Sequence, residues 1–204
     1  RCGFCDYWKT PAEARHDEAR SFVDAARFFN PMLVTWTGGE PLLRRDLEQL
    51  VAGVNAAVRL KYVMLITHGG MLSVERARSL WDAGINQFNV SLDYLDERHD
   101  RARGIPGLTA RILAAVSAMR TAGIDNVRFN TVLKDDNLDQ ILPIVRRAEE
   151  LGCGVNLSVY TDAKNGNAEH LIAGARHAEL DAVVRELLAF KRRRRGVITN
   201  SDYY

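Results

Sequence analysis

Cys2-Gly3-Phe4-Cys5 places two thiols two residues apart, close enough to grip one metal centre. The intervening Gly3 relieves backbone crowding, and Phe4, Tyr7 and Trp8 can shield such a site from water. Two thiolates do not complete it, since structural zinc takes four protein ligands and an iron–sulfur cluster usually three or four. Residue 1 is Arg and the pair lies at the edge of the chain. The reading therefore expects a fragment whose N-terminal neighbour holds at least one more ligand, and expects these residues alone to bind iron poorly. A second group is Thr37-Gly38-Gly39-Glu40-Pro41. Its two glycines let the backbone approach a ligand closely. Glu40 sets a carboxylate suited to an ammonium group at a strand's mouth, although a tight turn with Pro41 starting a helix explains the same residues.

Strands and helices must position these groups. Met32 to Trp36 is a short β-rich run feeding the glycine turn, and the segment 11–29 before it has helical spacing, stopped at Asn30-Pro31. Leu43, Leu47, Leu50, Val51 and Val54 form a helical stripe. Tyr62 to Ile66 is the next strand, ending at Thr67-His68-Gly69-Gly70; Ser73 caps the helix after it and Gly84 closes it. Phe88, Val90 and Leu92 alternate with Asn89, Ser91 and Asp93, giving a strand with one polar face that leads into a polar loop. A helix ending near Gly123, a strand over Val127 to Leu133, a helix ending near Gly152, a strand over Cys153 to Tyr160, and a last helix through Leu187 and Leu188 complete the series.

Strand and helix alternate in units of about thirty residues, the pattern of parallel βαβ connections. One α/β domain over 1–204 follows. An open doubly wound sheet and a TIM-type barrel both fit. Polar residues gather at the ends of all five strands rather than at one switch point, and three strands carry a polar alternate face: Asn89 and Ser91, Arg128 and Asn130, and Asn156, Ser158 and Tyr160. These favour a partial (β/α)6 barrel whose first strand is expected before residue 1.

Composition narrows the function. The chain has 204 residues, 47% hydrophobic and 26% charged, with 28 basic against 26 acidic residues for a net charge of +2. That balance points to neither nucleic acid nor a membrane surface, and no apolar run is long enough to span a bilayer. The run Lys191 to Arg195 reads as the cationic last turn of a helix before Gly196. Three cysteines in so long a chain argue against a disulfide framework and for a reducing, cytoplasmic setting. Cys153 reads as a small buried hydrophobe.

Taken together, Cys2-x-x-Cys5 and Thr37-Gly38-Gly39-Glu40-Pro41-Leu42 in a βα-repeat chain resemble the radical S-adenosylmethionine (SAM) enzymes. Cys2 and Cys5 match the last two cysteines of the family's C-x3-C-x2-C signature, the first falling upstream of Arg1. The resemblance continues through Ser91-Leu92-Asp93, His99-Asp100-Arg101, Arg103-Gly104 and Asn130-Thr131-Val132, which look like the subgroup of the molybdenum-cofactor and SPASM peptide-modifying enzymes. It implies a [4Fe–4S] cluster on Cys2, Cys5 and the upstream cysteine, and SAM on the open iron. Reductive cleavage would then give a 5′-deoxyadenosyl radical that takes hydrogen from a peptide, cofactor precursor or small molecule. An electron donor such as flavodoxin or ferredoxin is implied as well.

Within that resemblance Glu40, with the Gly38 and Gly39 backbone, is expected at the SAM ammonium, Ser91 and Asp93 at the ribose hydroxyls, Arg128 at the SAM carboxylate, and Asn130 at a further polar contact. Phe4 and Tyr7 would pack on the cluster or adenine, His68 and Lys164 lie on the substrate side, and His99 and Arg101 organise their own segment. Two departures stand out: His68 replaces a common Asn, and Tyr94 a common Gly. The competing readings are a CxxC redox or zinc protein without SAM chemistry, for which no second Cys or His pair is present, and a nucleotide-binding module, which leaves the cysteines without a purpose.

Overall fold

The computed structural model describes residues 5, 19–59, 61–163 and 166–201. Cys2, Phe4, Tyr7, Lys164 and the 11–18 part of the expected first helix lie outside the described residues.

Five strands, β1 (Leu33–Trp36), β2 (Tyr62–Thr67), β3 (Gln87–Ser91), β4 (Val127–Leu133) and β5 (Gly154–Val159), pair in parallel in the order β1-β2-β3-β4-β5. The order never reverses, so the sheet has no switch point and winds one way, as a barrel wall does. The helices are α1 (Ala19–Phe29), α2 (Leu47–Ala57), α3 (Val74–Ala83), α4 (Glu97–Arg103), α5 (Leu108–Thr121), α6 (Leu138–Glu150) and α7 (His177–Arg193).

Register sorts the side chains onto two faces. Val63, Leu65, Phe88, Val90, Val127, Phe129 and Val155 are buried on one, against Val51, Leu80, Ile112, Val116, Ile141 and Ile144 of the helices. The opposite face carries transverse rows. Ile66 pairs with Asn89, Asn89 with Arg128 and Arg128 with Gly154; two residues further on, Ser91 pairs with Asn130 and Asn130 with Asn156. This is the inner face of the curved sheet; it is polar over β3 to β5, where a sandwich or doubly wound sheet would be apolar, while Met64 and Ile66 of β2 are apolar.

Local signals set the element ends as expected. Ser73 Oγ accepts from Arg76 N at 3.2 Å. Gly84 ends α3 at φ 115°, with Asn55 packed where a side chain would go. Lys191, Arg192 and Arg193 form the last turn of α7.

Two elements differ from the sequence reading. The polar stretch after β3 contains α4, which lacks an apolar stripe and is fixed by its ends: Asp96 Oδ1 accepts from Arg98 N at 2.9 Å, and Gly104 closes it. Beyond α7, residues 197–200 run along the outer edge of β5. Val155 N donates to Val197 O at 2.7 Å, and Thr199 N to Val155 O at 2.9 Å. The Asn200 side chain then holds both Leu157 N and Leu157 O at 2.7 Å. The β-branched run Val197-Ile198-Thr199 was the available signal. No described helix is long and apolar enough to cross a membrane.

Candidate functional site

The glycine turn leaves β1 at the C-terminal edge of the sheet, where barrel sites are built. Gly38 has φ 138°, a conformation side chains resist, and a Cβ at Gly38 or Gly39 would meet no atom of the described residues within 4 Å. Among the described residues, no side chain stands against the glycines of this turn. Glu40 is turned inward. Its Oε1 accepts from Leu42 N at 3.1 Å and Thr67 Oγ1 at 2.7 Å, and its Oε2 from His68 N at 2.8 Å, with His68 Nε2 at 3.2 Å. The carboxylate caps the short 3-10 turn Pro41–Leu43 and ties the end of β1 to the end of β2. His68 is engaged at both nitrogens, since its Nδ1 accepts from Gly70 N at 2.9 Å.

The mouth ends of β3 and β4 are built differently. The ladder runs as far as Leu92 N on Asn130 O, at 3.0 Å, and then side chains replace it. Thr131 Oγ1 donates to Leu92 O at 2.7 Å, and Val132 N donates to Asp93 Oδ1 at 3.0 Å. Asn137 Nδ2 donates to both Asp93 O, at 3.1 Å, and Val132 O, at 2.8 Å, while its Oδ1 accepts from Lys134 N at 2.7 Å. Asp93 Oδ2 takes Arg103 Nη2 at 2.7 Å, and Asp93 N donates to His99 Nδ1 at 3.3 Å. Asp93, His99 and Asn137 are all fully buried. Burial, reinforced by the Arg103 charge, pushes His99 down to about 4. Neutral His99 accepting at Nδ1 must carry its proton on Nε2, which has no hydrogen-bond partner among the described residues.

Ser91 and Asn130 thus sit side by side, partly exposed, on the inner face at the mouth, with Asn156 Nδ2 reaching Asn130 Oδ1 at 3.4 Å. Arg128 shares their face one row deeper. It lines a cavity with Asp125, Asn126, Arg195 and Thr199 at the opposite, N-terminal edge of the sheet, and its stem lies along Gly154. The structure therefore brings Gly38, Gly39, Ser91 and Asn130 to the open mouth. It buries the carboxylates of Glu40 and Asp93 in contacts with their own chain, and it separates Arg128 from the group.

Beside the mouth, Tyr94 fills the position where the sequence reading noted a departure. Its hydroxyl donates to Asp136 Oδ2 at 2.7 Å and accepts from buried Lys134 Nζ at 2.8 Å. Burial and the Asp136 hydrogen bond raise its pKa, so it stays neutral. Sequence reasoning missed Arg103 and Asn137 as organisers; an Asn four residues past a strand end, before an apolar helix, was the one local hint for Asn137.

Of the cysteines, Cys5 is a free, half-buried thiol. Cys153 is buried at the foot of β5, and desolvation pushes its thiol up to about 12, which fits packing rather than metal ligation.

A sequence profile of the Radical SAM superfamily matches residues 1–148. AdoMet-dependent heme synthase of Methanosarcina barkeri is 34% identical over 142 residues, which are 69% of this chain and 40% of that protein. GTP 3′,8-cyclase of Xanthomonas axonopodis pv. citri is 31% identical over 178 residues, covering 82% of this chain and 53% of that one. The chain spans about half the length of the curated relatives it matches. Among solved structures, Streptococcus suis SuiB bound to S-adenosylmethionine superposes with a TM-score of 0.73 at 17% identity, over 97% of this chain and 46% of that one. His-tagged anSMEcpe with bound AdoMet gives 0.72, also at 17%, over 93% and 56%. Both likenesses concern the fold.

Proposed function

Because this chain belongs to the radical SAM superfamily, whose members use a [4Fe–4S] cluster and SAM, we propose that it is the catalytic core of an enzyme that binds both. When bound, the pair supplies a 5′-deoxyadenosyl radical able to take a hydrogen atom from an unactivated carbon.

The residues present suit these groups. Cys5 offers a free, partly accessible thiol, and the signature assigns Cys2 as its companion ligand. No described side chain crowds Gly38 or Gly39, and with no side chains of their own they let their carbonyls accept from the SAM ammonium. Glu40 contributes by fixing that turn to β2. Ser91 and Asn130 offer a hydroxyl and an amide to the ribose and neighbouring polar atoms. Asp93 stands just behind them, whereas Arg128, in the cavity at the N-terminal edge of the sheet, is left out of this set.

The observation that carries this reading is the row Ser91–Asn130–Asn156 on the inner face of a parallel sheet that winds one way. These side chains are partly or fully exposed and offer a hydroxyl and two amides to a ligand at the mouth.

The substrate class follows from a weaker comparison. The relatives above 30% identity are named for heme and GTP chemistry, whereas the likeness to SuiB, also solved with a precursor peptide, is one of fold. A cofactor precursor is accordingly preferred over a peptide, with reduction by a flavodoxin or ferredoxin in the cytoplasm. Anaerobic purification of the full-length protein tests the metal assignment. The expected result is a brown protein with near-stoichiometric iron and sulfide whose colour bleaches with dithionite; a colourless, zinc-loaded protein would establish the CxxC zinc alternative instead.

A further inference from the structure

We infer that Asp93, Arg103 and His99 form a positioning hub that sets the spacing of Ser91 and Asn130 at the mouth, and that Asp93 acts through this hub rather than by touching SAM. The inference rests on the reading of the mouth as the SAM site.

Three observations carry it. First, β3 and β4 stop pairing through their backbones just past Ser91 and Asn130, and Asp93 takes over. Its Oδ1 receives Val132 N at 3.0 Å, in place of a backbone carbonyl. Its own carbonyl and N–H go to Asn137 and His99. Asp93 therefore works as a wedge that ends the ladder at a fixed separation. Second, the carboxylate has no exposed surface, so its charge is balanced from within by Arg103 Nη2 at 2.7 Å. Arg103 is brought there by α4, whose C-terminal turn it occupies. Third, His99, on the same short helix, is itself fully buried and accepts the N–H of Asp93, so both sides of that residue are anchored from α4. Ser91 and Asn130 make none of these anchoring contacts. They are the last ladder-paired residues of β3 and β4, with Leu92 N on Asn130 O at 3.0 Å, and the hub fixes the strand ends immediately beyond them.

Removing Arg103 would leave a buried carboxylate without its cation, a state that relaxes by swinging out or taking a proton. Either change withdraws the acceptor of Val132 N and lets the strand ends shift. Removing the charge at both positions avoids this, because Asn at 93 keeps an Oδ1 for Val132 N and needs no guanidinium. A direct ligand would behave in the opposite way, since losing the carboxylate would cost SAM binding whatever stood at 103.

The test compares SAM affinity, by anaerobic equilibrium dialysis, for cluster-loaded wild type, Arg103→Met and the double variant Asp93→Asn/Arg103→Met, at matched iron content. The expected result is about a tenfold or greater loss for Arg103→Met and recovery to within about threefold of wild type in the double variant. Wild-type affinity in Arg103→Met, or a double variant as weak as the single, overturns the inference. If Arg103→Met does not accumulate as folded protein, the double variant decides alone: within about threefold of wild type supports the hub, and a loss of about tenfold or more makes Asp93 a ligand. A cluster-loaded wild type that binds no SAM refutes the underlying reading, and this inference with it.

Discussion

Lowering the pH from about 7 to about 5 should destabilise the protein through His99. The imidazole is fully buried, accepts the Asp93 N–H, and is held near 4 by desolvation and the Arg103 charge, against an ordinary value of 6.5. Across this window the unfolded chain takes up a proton that the folded chain refuses. Stability therefore falls as pH falls, and the loss would be complete only near the folded value. With those two values the linkage relation gives about 2 kcal/mol between pH 7 and pH 5. Carboxylates add little in this range; hydrogen bonds from Arg98 hold Asp96 and Asp139 below the ordinary range, so both stay ionised. Urea unfolding at the two pH values measures the loss. The control is His99→Asn, whose Oδ1 can accept the same N–H but does not titrate. The other histidines are common to both proteins and cancel in the comparison. Wild type should lose about 2 kcal/mol more than the variant. Equal losses, or a smaller loss in wild type, would refute the placement of a neutral, buried His99 behind the mouth.

Gly84→Ala should cost about 3 kcal/mol in chemical denaturation, because φ of 115° resists a side chain and the new Cβ would lie 2.6 Å from Asn55 Cγ. That collision also disturbs the Asn55 Nδ2 bond to Ala83 O, which joins α2 to α3. Cys153→Ala should leave iron content unchanged and cost about 1 kcal/mol or less, as expected for a small buried hydrophobe; a large fall in iron would make Cys153 a cluster ligand.

What the sequence revealed and what it hid divide along chain separation. The cap at Ser73, the close at Gly84 and the polar alternation of β3 to β5 are properties of residues near one another, and all read directly. The barrel-like winding followed from polar residues at every strand end. The burial of Asp93 did not follow, because it is set by Val132 and Asn137, 39 and 44 residues away. A carboxylate at a strand end looks the same in sequence whether it points to a ligand or to a backbone N–H from another strand. Glu40 poses the same ambiguity, resolved by Thr67 and His68 at the end of the next strand. The edge at 197–200 was hidden likewise, since Asn200 finds its partner 43 residues earlier. α4 was missed for another reason: a charged seven-residue helix has caps but no apolar stripe.

The central claim, that this chain is a radical SAM catalytic core with its cluster on Cys2 and Cys5, is tested most directly by product analysis. Full-length protein, reconstituted anaerobically with iron and sulfide, is incubated with SAM and dithionite, and 5′-deoxyadenosine is measured by chromatography. The account predicts its release from wild type and none above background from Cys5→Ala. No release from a fully loaded wild type, or undiminished release from Cys5→Ala, would contradict it.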